Sequence, residues 1–242
     1  MPNELERISI FGIRIDNLTR DETEDWIKSV LNSPPEQKFV ATLNPEIVLK
    51  GYRDENYRDI LNGSDLNLCD GFGVKLVAVF KGRKIKSRYT GVELTDFLLK
   101  LAKEKNKKVL VVVSGKSLSV PEEIERKIED RYGLKAQVKH FDEKNFFNTD
   151  AANNAQIVFV NFGAPHQEKF IYERRGKFPE ARILVGVGGA FDFLTGKMKR
   201  APGWMRKIGL EWLFRLVQEP KRLKRIWRAV VVFPILVFIK SK

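Results

Sequence analysis

The chain has 242 residues, of which 43% are hydrophobic and 31% are charged. This length can bury a large core, and the composition excludes wholesale disorder, a collagen-like repeat and a polytopic membrane protein. Lys and Arg number 44 against 31 Asp and Glu, so the formal net charge is +13. Such an excess indicates an anionic partner: nucleic acid, an acidic membrane surface or a phosphorylated substrate.

The excess charge is concentrated near the C-terminal end. Residues 204–242 contain ten Lys or Arg and two Glu, which gives this segment +8 of the total. The change of composition predicts one large domain, residues 1–203, followed by a C-terminal appendage, residues 204–242. We call the large domain the body. Cys69 is the one cysteine, which excludes an intramolecular disulfide and suits a reducing compartment. The first seven residues show no apolar signal segment, so we expect a cytoplasmic protein.

Short apolar runs alternate with amphipathic patterns along the body. Runs rich in β-branched and aromatic residues predict strands. They cover residues 8–11, 39–43, 66–69, 108–113, 137–140, 157–161 and 183–187. The alternation predicts an α/β fold with a Rossmann-like, largely parallel sheet that carries helices on both faces. Such sheets bind ligands beyond the carboxyl ends of their strands, so polar residues directly after strands are the candidates for function.

Capping residues mark several helix starts between these strands. A Thr followed three residues later by Glu predicts capping boxes at Thr19 and Thr90. A proline at the first helical position opens two further helices, one from Asn44 to about residue 61 and one from Pro121 onward.

The appendage predicts a basic amphipathic helix. Apolar residues recur at helical spacing between residues 223 and 231, and basic residues occupy much of the remaining circumference. An apolar run follows at residues 229–239, interrupted by Pro234, and it is shorter than the roughly 20 residues that a spanning helix needs. Two interpretations remain open. Either the appendage inserts Trp227 and Phe233 into an anionic membrane, or it docks on the core with a solvated charged face.

Polar residues follow two of the predicted strands. Thr42 and Asn44 come after the strand at 39–43; Asn44 suits a helix N-cap, and both side chains can also face a crevice. Asp70 follows the next strand and is succeeded by a Gly-Phe-Gly segment. There it can accept a proton from a substrate hydroxyl, or it can be an ordinary turn residue.

Two glycine-containing turns follow later strands. Gly163 precedes a helix start whose backbone N–H groups suit phosphate, and Gln167 can bind a sugar hydroxyl or a base. Gly188, Gly189 and Asp192 belong to a glycine cluster that is followed by three cations, a pattern that cradles phosphates. An ordinary strand-to-helix turn explains the first pattern equally well.

We expect no metal and no cofactor. The two histidines, His140 and His166, lack the spacing of metal ligands, and the chain contains no Asp-x-Asp motif. The Gly-Lys-Ser at 115–117 lacks the first glycine of a P-loop, because Leu110 stands at that position. A diphosphate would therefore have to be met by Arg, Lys and backbone donors.

Taken together and in order, these segments resemble the WecG/TagA/CpsF glycosyltransferases, glycosyltransferase family 26, over nearly the whole chain. The resemblance is carried by Thr42-x-Asn44-x-Glu46, Asp70-Gly71-x-Gly73, Arg88-x-x-Gly91, Gly163-x-Pro165-x-Gln167-Glu168, Gly186-x-Gly188-Gly189-x-Phe191-Asp192, Gly196-x-x-x-Arg200-Ala201-Pro202 and the segment from Gly209 through Glu211, Trp212, Arg215 and Glu219 to Arg222.

The resemblance implies an inverting, metal-independent transferase. It would move N-acetylmannosamine, or a related sugar, from a UDP-sugar donor to a polyprenyl-diphosphate-linked N-acetylglucosamine acceptor in cell-surface polysaccharide or teichoic acid synthesis. It implies a peripheral position on the inner face of the cell membrane, an anionic membrane surface as partner, and a homo-oligomer. The alternative from the residues alone is a non-enzymatic basic protein that binds membrane or nucleic acid. The body lacks a recognisable nucleic-acid fold, so we expect no nucleic acid.

The resemblance also implies roles for individual residues. Asp70 maps onto the proposed general base, with Thr42 and Asn44 at matching active-site positions. Arginines of the appendage are implied to close over the site and meet the diphosphate. The candidate substrate-binding residues are Arg88, Gly163, Gln167, Gly188, Gly189, Asp192, Arg215, Arg222 and Arg225.

Overall fold

A parallel sheet of six strands forms the centre of the protein, which confirms the predicted α/β fold. The computed structural model describes residues 6–34, 36–115, 117–220 and 223–240. The strand order is β4-β3-β8-β7-β5-β6, and every neighbouring pair is parallel. The strands of this sheet are β3 (Lys38–Leu43), β4 (Leu66–Cys69), β5 (Val109–Val113), β6 (Gln137–His140), β7 (Ile157–Asn161) and β8 (Ile183–Gly186).

Helices connect the strands and cover both faces of the sheet. In the body they are α1 (Arg20–Asn32), α2 (Pro45–Arg53), α3 (Glu55–Asn62), α4 (Phe72–Phe80), α5 (Gly91–Glu104), α6 (Pro121–Tyr132), α7 (Asp150–Asn154), α8 (His166–Arg174) and α9 (Ala190–Leu194), with 3-10 turns at Phe146–Asn148 and Arg175–Lys177. The apolar residues form two clusters, one with α2, α3, α4 and α8 and the other with α1, α5, α6 and α9. The two clusters lie on opposite faces because successive strand side chains point to opposite sides.

The first predicted strand lies outside the parallel sheet. It forms β1 (Arg7–Ile10), which pairs antiparallel with β2 (Ile13–Asp16). Phe11 and Gly12 between them have φ values of 53° and 74°, and a two-residue turn with positive φ closes a tight hairpin. The expected single helix from Asn44 to about residue 61 is also divided, because the Asp54 side chain caps a new helix by accepting a hydrogen bond from the Tyr57 N–H.

The appendage is helical, as predicted, and it packs on the body. Its elements are α10 (Gly203–Lys207), α11 (Glu211–Gln218), α12 (Leu223–Trp227), a π-helical turn (Arg228–Val232) and α13 (Phe233–Lys240). Phe233 is fully buried, with its ring centroid 6.2 Å from that of Phe11, and Val237 is buried too. The expectation that Phe233 inserts into a membrane is therefore wrong, whereas Trp227 is exposed. The chain stays helical through Pro234 of α13, a helix that follows directly on the π-helical turn at Arg228–Val232.

Candidate active site

The carboxyl ends of β3 and β4 bring Asn44 and Asp70 together. The Asp70 N–H donates a hydrogen bond to the Leu43 carbonyl oxygen at 2.9 Å. The Asn44 Oδ1 caps α2 by accepting from the N–H groups of Glu46 and Ile47 at 3.0 and 3.1 Å. A Cβ on Gly71 would lie 2.3 Å from Pro45 Cδ, so only glycine allows this close approach of the two chain segments.

Two cavities adjoin Asp70. The first has a volume of about 370 Å³ and lies between the strand ends, α4 and the appendage. The second has a volume of about 430 Å³ and lies over the ends of β3, β7 and β8. The residues that line both cavities are Asn44, Glu46, Asp70, Glu211, Arg215 and Arg225. Asp70 therefore stands at the junction of two chambers, and it is only partly exposed.

Burial raises the pKa of Asp70 to about 6, because the carboxylate loses its hydration. Arg215 and Arg88 lower this pKa by attraction, while Glu211 and Glu93 raise it by repulsion, so the loss of hydration prevails. At neutral pH the carboxyl group is ionised but close to its titration range. Such a group is suited to accept a proton from a hydroxyl.

The raised pKa predicts a stability gain when Asp70 is replaced. A carboxyl whose pKa is higher in the folded chain than its ordinary 3.8 destabilises the fold once it is charged. This penalty is absent below pH 3.8 and complete above about pH 6. We therefore expect Asp70→Asn to raise the free energy of unfolding by about 1–3 kcal/mol at about pH 8, with no gain at about pH 3.5.

Urea unfolding of both proteins at these two pH values measures the difference. Asp59→Asn, at an exposed site of α3, is the matched control. It should leave the free energy of unfolding unchanged at both pH values. A variant no more stable than the parent at about pH 8 would contradict the raised pKa.

The appendage contributes cations to the junction. Arg215 forms an ion pair with Glu211 at 3.0 Å, and its guanidinium lies 5.3 Å from the centre of the Phe193 ring. The Arg225 Nη2 lies 2.8 Å from the Glu46 carboxylate. α12 thus contacts the start of α2 through Arg225. Arg222 lies outside the described residues.

Two arginines of the body, Arg88 and Arg200, also line the cavities. Arg88 lines the first cavity, and it lies near enough to Asp70 to lower the pKa of that carboxyl. Arg200 lines the second cavity, where it donates to Thr90 Oγ1 at 3.2 Å and pairs with Glu93 at 3.5 Å. Glu93 also accepts from the Thr90 N–H, so it is the acid of the predicted capping box.

Gln167 lines the second cavity, but both ends of its amide are used within the protein. Its Oε1 accepts from the N–H of Gly163 at 3.1 Å and from that of Gly188 at 2.8 Å. Its Nε2 donates to Glu168 at 2.7 Å, and the Tyr57 hydroxyl donates to the other oxygen of that carboxylate. Gln167 thus holds the two predicted glycine turns together. Burial raises the pKa of Glu168 despite these hydrogen bonds.

The remaining predicted residues also line the second cavity. Thr42 is buried, with its hydroxyl 3.5 Å from the Gly186 carbonyl oxygen, and Gly189 lies at the start of α9. Asp192 is buried and accepts from the Ser119 N–H and hydroxyl at 3.2 and 2.8 Å. Its carboxylate therefore fixes the loop before α6 as well as facing the cavity.

Comparison with known proteins identifies the family. A family profile described as "Glycosyl transferase WecG/TagA/CpsF family" matches residues 8–242. The chain belongs to the WecG/TagA/CpsF glycosyltransferase family. The predicted resemblance is thereby confirmed, and the protein is an enzyme of this family.

Three relatives of this WecG/TagA/CpsF protein carry the same name, N-acetylglucosaminyldiphosphoundecaprenol N-acetyl-beta-D-mannosaminyltransferase. The protein of Bacillus subtilis (strain 168) is 35% identical over 195 residues, which cover 77% of this chain and 74% of the relative. That of Bacillus spizizenii (strain ATCC 23059 / NRRL B-14472 / W23) is 36% identical over 202 residues, or 81% and 76%. That of Staphylococcus aureus (strain MRSA252) is 28% identical over 233 residues, or 94% and 90%.

Glu46 stands in one of the family segments, but local sequence patterns assign it no role. It lines both cavities and contacts Lys50 at 3.1 Å as well as Arg225. Burial raises its pKa, but the two cations outweigh this effect and hold the pKa below its usual value. The Glu46 and Lys50 pair at i and i+4 is visible in the sequence, whereas the contact with Arg225 is not.

Among the described residues, no group of three or more His, Cys, Asp or Glu side chains is arranged to hold a metal ion. In the same part of the chain, no helix is both long enough and apolar enough to cross a membrane.

Proposed function

We propose that this WecG/TagA/CpsF enzyme transfers N-acetylmannosamine, or a related sugar, from a UDP-sugar to N-acetylglucosamine linked to polyprenyl diphosphate. The relatives' name supports the acceptor and the transferred sugar, since it states both for those proteins. The reaction would serve the synthesis of cell-surface polysaccharide or teichoic acid. It would proceed by a single displacement with inversion at the anomeric carbon and without a metal ion.

The position of Asp70 at the junction of the two cavities carries this proposal. A displacement with inversion needs an acceptor hydroxyl in line with the donor's anomeric carbon and one base to take the hydroxyl proton. Asp70 lines both cavities, so a donor in one and an acceptor in the other would meet at its carboxylate. Asn44 lines both cavities beside it and would help to position the reacting groups.

The second cavity is suited to the donor. Gly163, Gly188 and Gly189 line it and leave room for a nucleotide to approach the backbone, although the N–H groups of Gly163 and Gly188 already donate to Gln167. Arg200 and Arg215 line it as well, and the Nε of each is buried without a hydrogen-bond partner among the described residues. Unsatisfied guanidinium donors favour an anionic ligand, and they would stabilise the charge that develops on a departing UDP.

Lipid-linked acceptors reside at membranes, and we propose that the enzyme binds the inner membrane face peripherally. Phe80 at the end of α4 is 66% exposed and is followed by the exposed cations Lys81, Arg83 and Lys84. Residues 71–92 contain no acidic side chain. Each basic residue near an anionic leaflet contributes about 1 kcal/mol. The exposed Trp227 of the appendage adds an aromatic side chain suited to the interface.

A donor screen tests the proposed function. The full chain is incubated with a panel of UDP-sugars and a short-chain polyprenyl-diphosphate N-acetylglucosamine, with detergent or vesicles present, and products are identified by mass spectrometry. We expect one added N-acetylhexosamine from UDP-N-acetylmannosamine, undiminished by EDTA, and an anomeric configuration opposite to that of the donor.

Lack of transfer from every donor would overturn the proposal. Loss of activity with EDTA, restored by a divalent cation, would overturn its metal-independent part. Retention of the donor configuration would replace the single displacement by a double one.

A further inference from the structure

The lining of the first cavity is divided into a charged part and an apolar part. Its acidic residues and two of its arginines also line the second cavity, so these charged groups lie where the two cavities meet. The part that belongs to the first cavity alone is apolar except for Arg88. Its side chains include Phe72, Leu76, Ile208, Leu210, Trp212 and Ile226. We call this apolar part the trough.

The body and the appendage each supply one wall of the trough. Phe72 and Leu76 belong to α4, while Ile208 and Trp212 come from the appendage. The walls meet closely, since a Cβ on Gly209 would lie 2.4 Å from the Phe72 ring, and Gly209 has a φ of 82°. Only glycine combines this backbone conformation with this contact, so the trough is a defined feature of the fold.

The trough leaves large apolar side chains in contact with solvent. Phe72 is 38% exposed, Leu76 41% and Ile208 55%. A concave site lined by exposed apolar groups, with charged groups gathered at one end, matches an amphiphile that has a charged head and an apolar tail. Burying the tail removes apolar surface from water, at about 0.8 kcal/mol for each CH₂ group.

We propose that the trough binds the first isoprenoid units of the acceptor's polyprenyl chain. The inference rests on the proposed function, which puts the acceptor's sugar at Asp70. The acceptor's diphosphate would then meet Arg88 and Arg225, while Arg215 faces the donor. The chain then leaves the diphosphate along Phe72 and Leu76 towards the bilayer. Charge complementarity supports this order, because Arg88 and Arg225 line the same cavity as the trough. The enzyme thus recognises the lipid itself and does not leave the chain wholly in the membrane.

Acceptors that differ only in tail length test the trough. Each carries N-acetylglucosamine on a diphosphate, with a methyl group or with one, two or three isoprenoid units, and kcat/KM is measured below the critical micelle concentration. For the parent enzyme we expect kcat/KM to rise on the order of tenfold or more from the methyl to the two-unit acceptor. Leu76→Ser and Ile208→Ser, one from each wall, should each reduce this ratio several-fold.

Val79→Ser is the matched control. Val79 lies on the same helix, is 58% exposed and does not line the trough, so its ratio should equal that of the parent. A parent enzyme whose kcat/KM is independent of tail length would overturn the proposal. So would trough variants that keep the parent ratio while Val79→Ser also keeps it.

A binding measurement separates failure of the trough from failure of the proposed reaction. Isothermal titration calorimetry compares the affinity of the enzyme for prenyl diphosphates, which carry no sugar, with its affinity for inorganic diphosphate. We expect the prenyl compounds to bind at least tenfold more tightly and Leu76→Ser to remove most of that advantage. Equal affinity would overturn the trough even if sugar transfer is active, whereas tight prenyl binding without any transfer would leave the trough standing and reject the reaction. A short-chain phosphatidylglycerol is also tested as a competitor of the prenyl diphosphate for the trough. If it bound as tightly as the prenyl diphosphate, a bilayer lipid would be the occupant and the assignment would be overturned.

Discussion

Replacing Asp70 by Asn should lower kcat by about 10²–10⁴-fold, the usual contribution of a positioned general base. The amide keeps the shape of the side chain but cannot take the proton from the acceptor hydroxyl. The KM values of donor and acceptor should change little, because the expected role of Asp70 is proton transfer. Initial rates with varied donor and acceptor concentrations measure this separation. The variant should be folded and more stable than the parent at neutral pH, so a loss of rate is not a loss of structure.

The pH dependence of the parent enzyme tests the same role. A base is active in its ionised form, so kcat/KM should fall about tenfold for each pH unit below the Asp70 pKa of about 6. In the Asp70→Asn variant the residual rate should lack this acid limb. Asp59→Asn, the control on α3, should keep both the rate and the limb. Full activity of Asp70→Asn would remove Asp70 from the mechanism.

Local signals in the sequence were sufficient to predict the strands of the parallel sheet and to place candidate residues at its edge. The apolar runs at 39–43, 66–69 and 157–161 form strands within one residue of the prediction, because buried parallel strands read as continuous apolar segments. Parallel strands end at one edge, so Asn44 and Asp70, which follow two of them, are brought together.

Non-local contacts could not be predicted in the same way. Arg225 pairs with Glu46 across 179 residues of sequence, and no spacing rule links positions so far apart. The apolar run of the appendage indicates burial, but an apolar surface can be buried by lipid or by protein. Only the fold shows that Phe233 packs against Phe11 on the body.

The sequence also located Gln167 without revealing what its amide binds. The position after β7 brings the side chain to the second cavity, yet its oxygen accepts from Gly163 and Gly188. A pattern specifies which residues reach a crevice, whereas the direction of each polar group depends on neighbours from other strands. Gln167 is therefore a positioning residue for the two glycine turns in the proposed donor site.

The position of Asp70 between the two cavities sets the pKa of its carboxyl group. Polar and glycine residues are prominent in the lining of the second cavity, and apolar residues form most of the lining of the first. Asp70 lies between the two cavities. Partial burial at this boundary raises the pKa of Asp70, while Arg215 and Arg88 limit the rise. The same arginines that are proposed to meet diphosphate thus keep the carboxylate ionised at neutral pH.

Replacing Arg215 by Gln should therefore have two linked effects. The loss of a guanidinium that faces the departing diphosphate should lower kcat by about 10²–10³-fold, as for other donors that stabilise charge in the transition state. The acid limb of kcat/KM should also move to higher pH, because the attraction of Arg215 lowers the Asp70 pKa and Glu211 would remain to raise it. The limb is read from kcat/KM between about pH 5 and pH 9 with the short-chain acceptor.

Arg215→Lys separates charge from geometry. Lysine keeps the positive charge, so the acid limb should stay near its position in the parent enzyme, but it cannot make the paired hydrogen bonds of a guanidinium, so part of the kcat loss should remain. A limb that moves equally in both variants would show that the charge of residue 215 does not act on Asp70. Unchanged kcat in Arg215→Gln would show that Arg215 does not meet the departing diphosphate. It would also remove the appendage's proposed part in the reaction.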